Sequence, residues 1–371
     1  MATTPQEAWA EIFQAQLDAV VEVPLQRFDV NDYYEADGSG FLTYARHGSF
    51  VAKVELFDGR FFGISSNEAA AIDPQQRHGL EVSYAACHGA SRTKQDLTKT
   101  STGVFVGQCA NDWAKSSNRR AGTFMGPGTH ASIAANRISF CLGLEGVSMT
   151  VDTACSSTLV ALDLALQHLE LGHLETALCS GSQLNLIVEP FVAFCNGRLL
   201  STSGRCRTFD ASADGFARGE GFGSFFLTKA PSAEYGMGPA GSKANQDGRS
   251  SSLTAPNGPA QQRAILGALK AAGVAAAEIS AVECHGTGTA LGDPIEVGAL
   301  KGTLDDSAPQ LMAGKTNVGH LEGAAGALGL VKCMMVLQHN EAPPNVHFAE
   351  LNPHIDLKET SWRKCPRARS A

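Results

Sequence analysis

The chain has 371 residues, and its 29 lysines and arginines against 37 aspartates and glutamates give a formal net charge of −8. Its 43% of apolar and 18% of charged residues form an ordinary globular mixture, which excludes wholesale disorder. The acidic balance argues against nucleic acid as a partner, because binding phosphates requires clustered lysine and arginine. Lys332 interrupts the longest apolar stretch, 323–337, so no run reaches the length that a membrane-spanning helix needs.

The amino-terminal sequence MATTPQEAWAEIF has no basic segment followed by an apolar one. It does not have the form of a secretory signal, and we expect a cytoplasmic protein. The ten cysteines are scattered along the chain without a C-x-x-C pair. In a reducing compartment such cysteines are mostly small buried hydrophobes, so neither a metal site nor a disulfide framework is expected.

Three strings have the form of a helix start. TPQE at 4–7 combines a capping box with proline at the first helical position, and the apolar residues that follow predict an amphipathic helix over 4–21. DPQQ at 73–76 and DPIE at 293–296 have the same order: an N-cap residue, proline at the first helical position, and Gln or Glu as a hydrogen-bond acceptor at the third helical position. Each of these strings is predicted to begin a helix.

Short runs rich in β-forming residues lie between such helices. They occur at 103–107, 147–151, 176–179, 222–228 and 280–284. Alternation of strands and helices predicts an α/β fold with a buried, mixed sheet. The segment 229–243, KAPSAEYGMGPAGSK, is rich in Pro, Gly and Ser and predicts a boundary between two halves. The predicted units are an amino-terminal half, a carboxyl-terminal half and a basic tail, at 1–230, 231–357 and 358–371.

The string from Val151 to Gly172, VDTACSSTLVALDLALQHLELG, predicts a strand end followed by a helix, with Cys155 at the turn between them. A thiol there faces the free amides and the positive dipole end of the helix. Both favour the thiolate and would make Cys155 a nucleophile near neutral pH. A buried structural cysteine remains the alternative interpretation of this string alone.

A second string, AVECHGTGTALGDPIE, delivers His285 from a short strand into a glycine-rich loop. Thr287 and Thr289 offer hydroxyl groups in that loop. The glycine spacings of nucleotide-binding loops are not met here, so a nucleotide site is not predicted. A structural histidine is the alternative interpretation.

In the third string, GKTNVGHLEGAAGALGL, His320 precedes a helix of small residues and is flanked by Lys315 and Glu322. Any one of these charged groups could belong to the surface. One cysteine and two histidines, each at the end of an element within a small-residue loop, together indicate an active site.

These three strings closely resemble the active-site motifs of β-ketoacyl synthases, in particular the ketosynthase domains of polyketide synthases. The resemblance covers almost the whole chain, and further matching stretches lie at 73–77, 132–140, 204–221, 245–261 and 343–348. It implies a thiolase-like fold, in which two similar halves stack into five α-β-α-β-α layers. It also implies a homodimer.

The resemblance implies a role for each candidate residue. Cys155 would take an acyl group from a carrier thioester. His285 and His320 would donate N–H groups to the enolate that forms when a malonyl-type extender loses CO2. The carbanion would then attack the Cys155 thioester to give a 3-ketoacyl product.

The same resemblance gives the remaining residues supporting roles. Lys315 would orient the site through a hydrogen-bond network with Glu322, and Thr287 and Thr289 would line a tunnel for the phosphopantetheine arm. That arm arrives with acyl carrier protein or with coenzyme A. The resemblance implies no metal and no bound cofactor.

Three stretches depart from the family pattern. Members usually have an apolar strand ahead of the first helix and a further helix and strand between positions 226 and 245. They also continue beyond 357 to a glycine-rich turn, whose Phe amide supplies a second oxyanion donor. We therefore expect some terminal strands to be missing from the fold.

Two other functions fit parts of the pattern. A catalytically impaired acyl-binding or dimer-partner homologue would become acylated but would form no ketoacyl product. A cysteine hydrolase would release free acid without an extender, and it would leave the second histidine unexplained.

Overall fold

The computed structural model describes residues 2–116, 122–229, 238–304 and 307–357. Its strands are β1 (Val21–Glu22), β2 (His47–Ser49), β3 (Gly103–Gln108), β4 (Ser148–Val151), β5 (Thr176–Gln183), β6 (Arg218–Gly219), β7 (Gly221–Thr228), β8 (Ala281–Glu283) and β9 (Gln310–Met312). Its α-helices are α1 (Pro5–Ala8), α2 (Ser66–Ala69), α3 (Pro74–Gly89), α4 (Lys94–Leu97), α5 (Asp112–Lys115), α6 (Met125–Thr129), α7 (Ser132–Leu142), α8 (Ser157–Glu170), α9 (Glu189–Asn196), α10 (Gly258–Ala272), α11 (Gly292–Leu304), α12 (Lys315–Val318) and α13 (Ala325–His339). A π-helical turn spans Trp9–Gln14, and 3-10 turns span Val30–Asp32, Ala276–Glu278 and Glu322–Ala324.

The first helix begins where the sequence predicts and ends earlier. The Thr4 hydroxyl accepts the amide of Glu7, as a capping residue does. After α1 the chain widens into the π-helical turn, and it leaves the helix at Gln14 rather than continuing to residue 21. The side chain of Asn317 donates to the carbonyl of Leu17 over 2.9 Å. This tertiary contact takes the place of the hydrogen bond that the Leu17 carbonyl would accept within a continuing helix. The prediction of a helix over 4–21 is therefore wrong beyond Gln14.

The main sheet has the order β4-β3-β5-β7, with β4, β3 and β5 parallel and β7 antiparallel. All six residues of β3 are buried. Their side chains alternate between two cores, since Val104 and Val106 pack with α3 and α7 while Phe105 packs with α8. The predicted strands of the first half are confirmed, and β5 extends beyond the predicted run to Gln183.

The second half contains β8 and β9 as a parallel pair covered by α10 and α11. Leu311 of β9 packs there with Val297 and Leu300 of α11. Helices α8 and α13 lie between the two sheets, which gives five layers in the order α-β-α-β-α. This second sheet has two strands among the described residues, and the expected loss of terminal strands stays a prediction. None of the described helices has both the length and the apolar character that crossing a membrane requires.

A third, small sheet of β1, β2 and β6 positions the site. β6 pairs with β2 on one side and forms a single parallel bridge, from Arg218 to His320, on the other. This bridge brings the third sequence string next to the first half of the fold.

Candidate active site

Cys155 lies in the turn between β4 and α8, as the sequence predicts. Ala154 before it has a φ of +56°, a conformation that non-glycine residues rarely adopt. The Ser157 hydroxyl holds this turn, because it donates to the Ala154 carbonyl over 2.6 Å and accepts the Thr153 amide over 2.9 Å. A side chain at Gly107 of β3 would collide with the backbone of Thr158, so β3 approaches the helix start closely. The fold thus fixes Cys155 at the amino terminus of α8.

The three predicted catalytic side chains meet in space. The sulfur of Cys155 and one ring nitrogen of each of His285 and His320 lie within 4.8 Å of one another. The two imidazole rings are 5.3 Å apart and nearly perpendicular. His320 is buried, Cys155 is half-buried and His285 is exposed, so the site opens to solvent on the side of His285.

The electrostatics of the site follow from burial and from Lys315. Protein atoms crowd the ring of His285 despite its exposed face, and this loss of hydration lowers the pKa of His285 as it does that of His320. The Lys315 ammonium lowers both further. Both imidazoles are therefore neutral at neutral pH, the form that donates N–H hydrogen bonds without carrying a charge. The Lys315 charge also disfavours a divalent cation between the three side chains. The absence of a metal stays a prediction.

The protonation of Cys155 differs from the prediction. Burial raises the pKa of the Cys155 thiol, although the Lys315 ammonium opposes this shift. The loss of hydration outweighs the attraction of the positive charge. The predicted thiolate near neutral pH is therefore wrong for the free site, and attack requires transfer of the thiol proton to a neighbouring base.

We expect alkylation of Cys155 by iodoacetamide to accelerate about tenfold per pH unit between about pH 7 and 9, because only the thiolate reacts. The measurement is the pH dependence of the labelling rate, with the adduct mapped by peptide mass spectrometry. Mapping separates Cys155 from Cys109, Cys141 and Cys333, which are also partly exposed. A rate that is already constant from pH 7 upward would show a resting thiolate and contradict the expectation.

His320 is fixed by backbone and side-chain contacts. Its amide donates to the Ala217 carbonyl over 2.7 Å, and its carbonyl accepts the Gly219 amide over 2.8 Å. The Phe216 ring packs edge-on against the imidazole at 5.2 Å. Nδ1 of His320 accepts the Glu322 amide over 3.1 Å. Because Nδ1 is an acceptor, neutral His320 carries its proton on Nε2.

The loop of His285 is held by two carboxylates of α11. Glu296 accepts the amides of His285 and Gly286, over 2.5 and 2.8 Å. Asp293 accepts the amides of Gly288 and Phe209, over 3.0 and 2.8 Å. DPIE begins a helix as predicted, since α11 starts at Gly292, but the predicted capping role of its acids is wrong because both carboxylates accept amides outside the helix. Their spacing of three residues, which places both on one helix face, was the signal in the sequence.

We expect Glu296→Gln to reduce condensation about ten- to a hundredfold, because an amide offers one acceptor where the loop presents two donors. One unsatisfied buried donor costs about 1–3 kcal/mol. The measurement pairs product formation with thermal unfolding. The control is Glu278→Gln, which alters a 3-10 turn outside the site. Activity equal to that of the unaltered chain would contradict the role of Glu296.

Glu322 has a different partner from the predicted one. Its carboxylate binds the Arg218 guanidinium through Nε at 2.6 Å and Nη2 at 3.1 Å, and it accepts from Gln183 over 3.1 Å. The structure forms no hydrogen bond or ion pair between Glu322 and the buried Lys315. The Arg218 guanidinium and the Gln183 amide are instead the direct partners of this carboxylate, and the network with Lys315 stays a prediction. The charge of Lys315 lowers the pKa of His285 and of His320.

Thr287 and Thr289 lie on the loop of His285. Thr287 is buried and Thr289 is half-buried, and their hydroxyl oxygens are 3.4 Å apart. The Thr289 hydroxyl also accepts the Gly292 amide at the start of α11. Their predicted contact with a phosphopantetheine arm stays a prediction.

Comparison with known families and structures agrees with this geometry. Residues 1–233 match the family described as beta-ketoacyl synthase, N-terminal domain, and residues 239–349 match the beta-ketoacyl synthase, C-terminal domain. The ketosynthase from module 6 of the bacillaene synthase from Bacillus subtilis 168 superimposes with a TM-score of 0.89 and 32% identity. The alignment covers 98% of this chain and 63% of that chain.

Polyketide synthases are similar to the chain in sequence. A component of the phenolphthiocerol/phthiocerol polyketide synthase from Mycobacterium tuberculosis is 41% identical over 96% of this chain. Polyketide synthase GfsB from Streptomyces halstedii is 40% identical over 95% of this chain. The chain spans only 20% and 7% of the length of these relatives.

The five-layer fold and its similarity to solved ketosynthase structures define a thiolase-like architecture. The chain belongs to the β-ketoacyl synthase family and is a ketosynthase domain of the polyketide synthase type. The predictions of family and fold class are confirmed. The predicted boundary at residue 230 and the tail at 358–371 lie outside the described residues, and the boundary stays a prediction.

Proposed function

We propose that the chain catalyses decarboxylative Claisen condensation of an acyl thioester with a malonyl-type thioester. The observation that carries the proposal is the meeting of one thiol and two neutral imidazoles within 4.8 Å, with Cys155 at a helix start. A nucleophile and two uncharged N–H donors are what acyl transfer followed by enolate formation requires.

In the first step Cys155 attacks the carbonyl carbon of the acyl thioester. The new S–C bond forms as the thiol proton passes to an imidazole, and the carrier thiol leaves with that proton. His320 uses Nδ1 as an acceptor and Nε2 as a donor, so it has no free position for a further proton. His285 forms no ring hydrogen bond among the described residues. We therefore assign the proton transfer to His285.

In the second step the extender loses CO2. The electron pair of the broken C–C bond enters the enolate, whose oxygen accepts the N–H of His320 Nε2 and that of His285. The enolate carbon then attacks the acyl carbonyl, the C–S bond to Cys155 breaks, and the thiolate takes up a proton from solvent. The nearby Lys315 ammonium stabilises the negative charge that both steps develop.

The substrates reach the site on a phosphopantetheine arm of an acyl carrier protein or coenzyme A. Thr287 and Thr289 support this proposal, because they present two hydroxyl groups beside His285. No resident metal or cofactor takes part.

We also propose a homodimer. The outer edge of β4 forms no ladder with a strand of the described part of the chain, and Phe140 on the adjacent α7 is 87% exposed. An open strand edge beside an exposed aromatic ring is suited to pairing with a second copy.

The test is incubation with an acyl thioester and a malonyl thioester, followed by mass spectrometry of both protein and products. The proposal predicts an acyl adduct on Cys155 and a 3-ketoacyl thioester. An adduct without ketoacyl product would indicate the acyl-binding alternative. Release of free acid without an extender would indicate a cysteine hydrolase.

A further inference from the structure

Glu322 has an unusual backbone conformation at the point where it contacts His320. Its φ is +39°, in the left-handed region that favours glycine. The amide of this residue is the group that donates to Nδ1 of His320 over 3.1 Å. A non-glycine residue persists in this region only when its surroundings hold it there. The contact that fixes the His320 tautomer therefore depends on whatever restrains Glu322.

The restraint on Glu322 is a buried ion pair with Arg218. Two guanidinium nitrogens meet its two carboxylate oxygens at 2.6 and 3.1 Å, and Arg218 is only 1% exposed. The guanidinium lies over the rings of Phe191 and Phe194, at 4.7 and 5.3 Å from their centroids. Such a paired, covered guanidinium has one orientation, so the carboxylate bound to it has one as well.

The backbone of Arg218 also lies beside His320. The two hydrogen bonds that fix the His320 backbone come from Ala217 and Gly219, the neighbours of Arg218 on either side. Arg218 and His320 form the bridge between β6 and the third sequence string. Arg218 thus contacts both the backbone segment of His320 and the side chain of Glu322, the residue whose amide donates to the His320 ring.

We propose that Arg218 is a positioning residue for His320. Its ion pair holds Glu322 in the left-handed conformation, the Glu322 amide stays on Nδ1, and the imidazole proton stays on Nε2, where it faces the enolate. This inference rests on the proposed function, because it assigns to His320 the N–H donor of the decarboxylation step.

Two double variants test the inference. R218M/E322M and R218M/E322G both remove the two charges together, so neither leaves an unpaired buried charge. They differ in that glycine adopts a φ of +39° without restraint, whereas methionine does not. We expect R218M/E322M to decarboxylate malonyl thioester about thirtyfold more slowly than the unaltered chain, which is less than the usual loss on full removal of an oxyanion donor. We expect R218M/E322G to stay within about threefold of the unaltered chain.

Acylation of Cys155 is the control measurement. A general structural defect would slow acylation, whereas a change confined to His320 would not. We expect both variants to acylate within about twofold of the unaltered chain. Equal decarboxylation by the two variants, whether retained or lost, would overturn the inference, because the backbone conformation would then not matter.

A second measurement does not depend on activity or on the folding of the variants. In the unaltered chain labelled with 15N-histidine, NMR should show His320 as the Nε2–H tautomer, assigned by comparison with His320→Gln. The Nδ1–H tautomer in that spectrum would overturn the inference. Absence of decarboxylation by the unaltered chain with an Nε2–H spectrum would instead contradict the proposed function.

Discussion

Cys155→Ala is expected to lower condensation by at least about a thousandfold, because the proposed reaction holds the acyl chain on the Cys155 sulfur between the two steps. The substitution removes one half-buried sulfur atom at a turn that Ser157 and Ala154 hold without it. The protein should therefore keep its thermal unfolding midpoint. The measurement is the rate of 3-ketoacyl product, together with the mass of the protein after incubation with acyl thioester.

Cys333→Ala is the matched control, since it removes a half-buried thiol of α13 outside the site. It should retain both the acyl adduct and the product. An acyl adduct that persists in Cys155→Ala would show that another residue is the nucleophile. Unchanged product formation would contradict the proposed reaction itself.

The sequence alone predicted those features that depend on residues adjacent in the chain. The run at 103–107 is apolar and β-forming, and it became the buried central strand β3. DPQQ at 73–76 contains cap and proline, and α3 begins at Pro74 with the Asp73 carboxylate accepting the Gln75 amide. Cys155, His285 and His320 were identifiable because each follows or precedes an element in a small-residue loop. Local patterns therefore predicted which residues would stand at the ends of the elements.

Contacts between distant segments were not predictable in the same way. Arg218 and Glu322 are 104 positions apart, and neither hydrophobic periodicity nor a helix-capping pattern relates the two residues. The family resemblance instead implied a hydrogen-bond network of Glu322 with Lys315, and it gave no indication of Arg218. The early end of the first helix has a similar cause, since Asn317 binds the carbonyl of Leu17. In both cases the fold supplies a partner that local sequence does not reveal.

The pKa of Cys155 illustrates a limit of a different kind. The helix start and the cationic neighbour, which favour a thiolate, are visible in the sequence. The burial that opposes them depends on the tertiary fold, which brings segments distant in the sequence, among them those of Lys315 and Glu322, close to Cys155. The outcome is a balance between two effects of opposite sign, and only one of them is local.

His285→Ala and His320→Ala are each expected to reduce decarboxylation of malonyl thioester about 10²–10³-fold, the usual cost of losing one oxyanion donor. The two variants should differ in the first step. Because His320 has no free position for a proton, its loss should leave acylation of Cys155 within about threefold. His285→Ala should slow acylation about a hundredfold, the low end of general-base catalysis. The measurement is burst acylation and CO2 release for each variant.

His320→Gln provides the internal comparison, because its amide can place an N–H group near the position of Nε2. It should recover part of the decarboxylation that His320→Ala loses. His354→Ala, at an exposed position, should change neither step. Decarboxylation that survives in the double variant His285→Ala/His320→Ala would exclude the imidazoles as the enolate donors. Equal slowing of acylation by the two single variants would remove the assignment of the thiol proton to His285, since only that imidazole has a ring nitrogen free to receive it.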